Sequence, residues 1–345
     1  MSGVAQLTVG DDEAEQRLDR WLKRRFPQVT QGMVERFCRK GELRVDGGRV
    51  KASTRVAPGQ TIRVPPLPEA LTNARDERRS AQAPAPDPAL VADLKARIVF
   101  HDDDVLIIDK PAGLATQGGT AQRVHVDAAL RGLRFGREEA PRLVHRLDRD
   151  TSGLLVLARS GAAATALTKA FRSRSVEKTY LAAVAGQPKP VAGTIRWGVV
   201  KAGGHGAEKM RPVHPDEIDV TDGAQHAVTE YRVVEMVGGR ASAVLMRPLT
   251  GRTHQLRVHM AALGTPIVGD GKYGGRGQEN LGDGWGASLG RGLSRKLHLH
   301  AVRLDFPHPR KAGHQVSVSA PLPDHMARTW EMLGWDVPAA FDPLD

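Results

Sequence analysis

The chain has 345 residues, 40% of them hydrophobic, with 50 Lys and Arg against 39 Asp and Glu for a net charge of +11. That length accommodates two or more domains at ~100 to 200 residues each, and the positive balance points to an anionic partner. Apolar runs such as Val105 to Ile108 and Leu154 to Ala158 fall far short of the ~18 residues a membrane-spanning helix needs. The N-terminus lacks the basic start and apolar stretch of a secretory signal, and the single cysteine, Cys38, excludes an internal disulfide and a cysteine-based zinc cluster. Nucleic acid is therefore the expected partner, a membrane is not, and the expected location is cytoplasmic.

Positive charge is concentrated near the N-terminus. Residues 17 to 63 hold 13 Lys or Arg against 4 Asp or Glu, an excess of nine in a chain whose total excess is eleven. Leu18, Trp21, Leu22 and Phe26 recur at helical spacing. After Pro27, Thr30 is placed to cap a second helix carrying Val34, Phe37 and Cys38, which Gly41 ends. Cys38 reads as a small core residue of that helix rather than a thiol nucleophile. Short strands at Leu43 to Val45, at Val50 and at Gln60 to Val64, with an Asp46-Gly47 turn, complete a small curled sheet. Arg36, Arg39, Lys40, Arg44 and Arg49 then collect around the end of the second helix and the following hairpin. In isolation such a run is more often a solvated surface than a phosphate-gripping face. Residues 13 to 64 form this first module, and the Pro-rich, patternless stretch 65 to 90 reads as a flexible linker.

The remainder, 91 to 335, is expected to be an α+β domain with a mixed or antiparallel sheet. Short apolar strands are predicted at Ile98 to Phe100, Val105 to Ile108, Leu143 to Leu147, Leu154 to Leu157 and Tyr180 to Val184. Helices are predicted over Gly161 to Phe171, capped by Ser160, and over Thr253 to Leu263. Residues 274 to 292 are Gly-rich and read as a mobile insertion.

Reactive side chains gather in two places. His145 to Val156, HRLDRDTSGLLV, places Asp148 at a corner between strands, with Arg146 and Arg149 close by to keep a half-buried carboxylate ionised. Asp148 and Asp150 also suit plain turn capping. Gly251 to Asp270 supplies Arg252, His254, Gln255, Arg257 and His259. Five-residue spacing puts His254 and His259 on poorly aligned helix faces, so no metal site is assigned. Asp150-Thr151-Ser152-Gly153 superficially matches an aspartic-protease loop, but it has no second copy to supply a paired aspartate.

Residues 17 to 64 resemble the S4 RNA-binding module over its whole length, which favours the phosphate-gripping reading of the basic face. Farther on, Lys110-Pro111-Ala112-Gly113-Leu114, HRLDRDTSG at 145 to 153, Glu177-Lys178-Thr179-Tyr180 and GRTHQLRVH at 251 to 259 resemble, in order, four motifs of the RluA-type pseudouridine synthase family. The resemblance runs from about Ile98 to Pro321. It implies that Asp148 is the catalytic carboxylate, that Tyr180 is the active-site tyrosine, that Arg257 pairs with Asp148, and that Arg146 enters the RNA stack as the uridine leaves it. Without the resemblance, Tyr180 and Arg257 equally suit an aromatic packed at a strand start and a surface ion pair. The implied reaction detaches uracil from its ribose at N1 and rejoins it through C5, with no cofactor and no metal. The wording HRLDRDTSGLLVLARS is most similar to synthases of large-subunit ribosomal RNA, the C type first and the D type next. Transfer RNA is the alternative substrate, and a non-catalytic RNA-binding factor the alternative function.

Overall fold

The computed structural model describes residues 3–10, 13, 16–26, 29–67, 85–118, 124–202, 209–274 and 293–338. It divides into two compact units, residues 1–85 and 86–345. Among the described residues no helix is long and apolar enough to cross a membrane.

In the first unit, β1 (Ala5–Thr8) precedes α1 (Leu18–Arg25), α2 (Gln31–Lys40), β2 (Arg44–Val45), β3 (Gly48–Arg49) and β4 (Thr61–Val64). The sheet order is β1-β4-β2-β3, so β1, which the sequence patterning did not reveal, supplies one edge. Thr30 caps α2 by accepting the Met33 N–H, and Gly41 ends it at φ 69°. Leu18, Trp21, Leu22, Val34 and Phe37 turn inward onto Leu43, Ile62 and Val64. Cys38 is half-buried and packs against this core, and burial raises its thiol pKa.

The second unit begins with α3 (Pro88–Ala96), β5 (Ile98–His101), β6 (Val105–Lys110), α4 (Val126–Ala129), β7 (Arg142–Leu143), β8 (Ser152–Ala158) and α5 (Gly161–Arg172). It continues through β9 (Glu177–Ala185), β10 (Ala192–Ile195), β11 (Gly198–Lys201), β12 (Met210–Val213), β13 (Gln225–His226), β14 (Thr229–Val237) and β15 (Ala241–Pro248). It ends with α6 (Gln255–Ala262), β16 (Leu299–Pro307), β17 (Gln315–Ser319) and α7 (Asp324–Leu333). One sheet runs β10-β14-β15-β9-β16-β8-β6-β5, with β7 on β8 and β17 on β16. Its pairings are antiparallel except β8 with β16, so the sheet is mixed, as an α+β domain allows.

Both faces of the sheet are covered at β6 and β8, which explains why these strands read as continuous apolar runs, whereas the outer strand β17 alternates. Val105, Ile107, Leu154 and Val156 pack with Ala163 and Leu167 of α5 on one side. Leu106, Ile108, Leu155 and Leu157 pack with Leu94 of α3 on the other.

Three expected boundaries differ. The strand foreseen over Leu143 to Leu147 ends at Leu143, because the His145 ring turns inward to accept the Val156 N–H at 2.8 Å and Leu147 is held by Thr116. Leu67, assigned to the linker, is buried in the first core, and Pro88–Leu90 already belong to α3, which Asp87 caps; residues 68–84 of the expected linker lie outside the described residues. Apart from Gly274, so does the expected insertion 274–292.

Candidate active site

The corner between β7 and β8 is tied down from both sides of Asp148. Thr116 Oγ1 donates to the Leu147 carbonyl at 2.7 Å and accepts the Leu147 N–H at 3.2 Å. On the other side, the Arg149 carbonyl accepts from the Gly113 N–H at 2.9 Å and from Lys110 Nζ at 3.1 Å. Lys110 is fully buried and also donates to the carbonyls of Pro111 and Leu114. Burial pulls its pKa down to about 7, against the charges of Asp148, Asp150 and Asp109, which raise it. Three carbonyl acceptors match the three hydrogens of an ammonium. The KPAGL segment is thus a brace beneath the Asp148 corner, a role that spacing alone did not disclose.

Directly after the corner, the chain enters the parallel pairing of β8 with β16. Gly153 pairs with Ala301, and a Cβ on Gly153 would stand 2.3 Å from the Ala301 carbonyl oxygen at a φ of +109°, so only glycine fits. Ala301 also pairs with Tyr180 on β9. One residue of β16 therefore sets both the exit of the Asp148 corner and the position of the tyrosine.

Asp148 and Tyr180 meet in a cavity of about 520 Å³ whose lining also includes Arg146, His254 and Arg257. Asp148 is the one carboxylate among the described lining residues, and its side chain is 19% exposed. Arg146, Arg172, Arg174 and Arg252 bring positive charge to the same lining, and all four are exposed. Burial, and then the Asp148 charge, push the Tyr180 phenol well above its usual range, so it enters any reaction as the neutral phenol.

Arg257 departs from expectation. It pairs with Asp270, Nε to Oδ2 at 2.8 Å and Nη2 to Oδ1 at 2.7 Å, rather than with Asp148. The reason is geometric: both carboxylate oxygens of Asp270 meet the planar edge of the guanidinium in a buried position. The group next to Asp148 is instead His254, at 3.8 Å. Arg257 still feels the Asp148 charge, which together with Asp270 raises its pKa against the effect of burial.

The loop leading to His254 is fixed by Gln255, whose Oε1 accepts from Thr250 Oγ1 and the Arg252 N–H while Nε2 donates to Val228 O and Thr229 Oγ1. His259 is buried and structural, bonded to Thr229 and the Trp197 carbonyl. Among the described residues no group of three His, Cys, Asp or Glu gathers as metal ligands would.

The five basic residues expected to grip phosphate on the first unit divide. Arg36, Arg39 and Lys40 are exposed on the last turns of α2. Arg44 and Arg49 face each other across β2 and β3. Arg44 donates to the carbonyls of Gly41 and Gly47, so part of its donor set serves the turn, and the Arg49 guanidinium lies against Gly41.

Residues 104–262 match the family model described as RNA pseudouridylate synthase, and residues 16–62 match the S4 domain. "Ribosomal large subunit pseudouridine synthase C" of Escherichia coli (strain K12) is 35% identical over 334 residues, 96% of this chain and 97% of that protein. The chain belongs to the RNA pseudouridylate synthase family. The protein of the same name from Yersinia pestis is 36% identical to this synthase over 94% of its chain and 93% of the relative. Among solved structures, "Human RNA Pseudouridylate Synthase Domain Containing 4" is 30% identical with a TM-score of 0.60, covering 72% of this synthase and 97% of the human chain. The chain is therefore an isomerase acting on RNA, and its first unit carries an S4 domain.

Proposed function

We propose that this synthase converts uridine to pseudouridine in large-subunit ribosomal RNA, with Asp148 as its catalytic carboxylate. The observation that carries the chemistry is the placement of Asp148, the one carboxylate among the described lining residues, in a cation-rimmed cavity that it shares with the phenol of Tyr180. The substrate assignment is supported by similarity to synthases of that name along 96% of the chain. In this reading residues 13–64 hold the RNA and residues 91–335 carry the reaction.

The isomerisation breaks the N1 bond to the ribose, rotates the uracil and joins C5 to the same carbon. Atoms and electrons balance, so the reaction requires no oxidant, reductant or imported group. Asp148 meets the electron-poor centre created as the bond breaks, by covalent attack or by charge stabilisation. Tyr180 packs against the freed uracil and takes part in moving its proton. Arg257 acts here by holding the turn at Asp270 and by its positive charge. Arg146, exposed at the cavity, fills the stack vacated by the target nucleotide and offsets an extraction cost of a few kcal/mol, on the order usual for base flipping.

The test is tritium release from large-subunit ribosomal RNA labelled at uridine C5, with wild type and Asp148→Asn. Release by wild type alone is expected. Release only from transfer RNA would overturn the substrate, and release by Asp148→Asn at the wild-type rate would overturn the catalytic carboxylate.

A further inference from the structure

His254 occupies the N-cap of α6 with a left-handed backbone, φ 54°, and its ring bridges two groups distant in sequence. Nδ1 lies 2.7 Å from the Tyr273 hydroxyl, and Nε2 lies 3.8 Å from Asp148 Oδ2. The Tyr273 oxygen also accepts the Met210 backbone N–H at 2.9 Å. That bond takes one of the two acceptor positions of the phenol and leaves its single hydrogen available to Nδ1. With Nδ1 as the acceptor, the hydrogen of the neutral ring resides on Nε2, facing Asp148.

The ring is well suited to stay neutral. His254 is 7% exposed, and burial lowers its pKa, as do the charges of Arg257 and Lys272, while Asp148 and Asp270 act in the opposite direction. Tyr273 is itself held by the Arg257–Asp270 pair, because Asp270 Oδ1 accepts the N–H groups of Lys272 and Tyr273 and the guanidinium of Arg257 lies over the Tyr273 ring at 5.2 Å. A chain of fixed contacts therefore runs from Arg257 through Asp270, Tyr273 and His254 to the carboxylate.

We propose that His254 is a positioning residue for the isomerisation, locked by Tyr273 as the Nε2–H tautomer so that it aims a hydrogen at Asp148 Oδ2. The inference rests on the reading of Asp148 as the catalytic carboxylate. At 3.8 Å the contact is longer than a hydrogen bond. It thus orients the carboxylate without engaging the lone pair needed for reaction.

The test joins a spectroscopic and a kinetic readout on the full chain. In ¹⁵N-histidine spectra, His254, assigned by its loss in His254→Gln, is expected to show a protonated Nε2 and an unprotonated Nδ1, and Tyr273→Phe is expected to mix the two tautomers. In tritium release, His254→Gln keeps an N–H donor on a side chain of similar reach, whereas His254→Met does not, and both share the left-handed backbone. The expected result is a kcat about 10-fold lower for His254→Met than for His254→Gln with KM unchanged, about 1.4 kcal/mol of transition-state stabilisation. Tyr273→Phe, which leaves position 254 intact, is expected to lower kcat likewise. An Nδ1–H tautomer in wild type, equal kcat for the Gln and Met variants, or wild-type kcat in a Tyr273→Phe protein with mixed tautomers overturns the proposal. Failure of wild type to release tritium from any RNA instead overturns the functional reading and leaves the tautomer to be read on its own.

Discussion

Arg257 and Asp270 form a two-point ion pair in which both side chains are almost completely buried, at 4% and 0% exposure. Removing one charge strands the other in a poorly solvated site. Asp270→Asn is therefore expected to destabilise the protein by ~3 to 5 kcal/mol, and to loosen the turn that carries Tyr273. Urea unfolding measures the first effect, and an unchanged midpoint would show that the pair is not what holds this turn.

Gly153→Ala adds a methyl 2.3 Å from the Ala301 carbonyl oxygen at a backbone angle that other residues rarely adopt. Either β8 or β16 must shift, and the Asp148 corner shifts with it. Lower thermal stability together with a loss of kcat is expected. A variant as stable and as active as wild type would mean that the parallel pairing does not set the site.

On the first unit, Arg36, Arg39 and Lys40 are exposed, whereas Arg44 is tied to two carbonyls. Replacing the first three by Gln is expected to weaken RNA binding and to flatten the salt dependence, by about 0.7 to 0.9 in log–log slope for each phosphate that is no longer neutralised. Arg44→Gln should instead lower stability. Filter binding at several salt concentrations separates the two outcomes, and an unaltered slope in the triple variant would remove this face from the interface.

The Glu13 carboxylate accepts from Arg25 and from the Trp21 indole. The Arg25 hydrogen bonds, with further help from the Gly10 N–H and Trp21, hold its pKa at about 2 against an ordinary 4.5. A carboxylate with a depressed folded pKa stabilises the fold fully above its unfolded value, and this contribution disappears as pH falls through the folded value. The Trp21 environment is thus expected to loosen as pH falls from 4.5 toward about 2, and the Glu13→Gln variant to show less of this dependence. The Trp21 indole N–H resonance, followed by NMR in both proteins, reports it.

Local chemistry made much of this protein legible in its sequence. Thr30 and Ser160 cap their helices through their own side chains, Gly41 ends α2 by its backbone freedom, and runs such as Leu154 to Leu157 become strands buried on both faces. Those features depend on a few neighbouring residues, so spacing suffices to find them. The motifs likewise placed Asp148, Tyr180 and Arg257 in a single cavity.

Pairings between distant segments belong to the tertiary structure alone. Charge and spacing did not reveal that Arg257 would choose Asp270 over Asp148, that Lys110 would bond Arg149 across 39 positions, or that Tyr273 would reach His254. The edge strand β1 was hidden for the same reason, since its partner β4 lies more than fifty residues away. Residue types announce which groups are able to pair, but in a buried site the partner is decided by which oxygen the fold brings to the guanidinium or ring at hydrogen-bonding distance, and the packing of the sheet and α6 settles that.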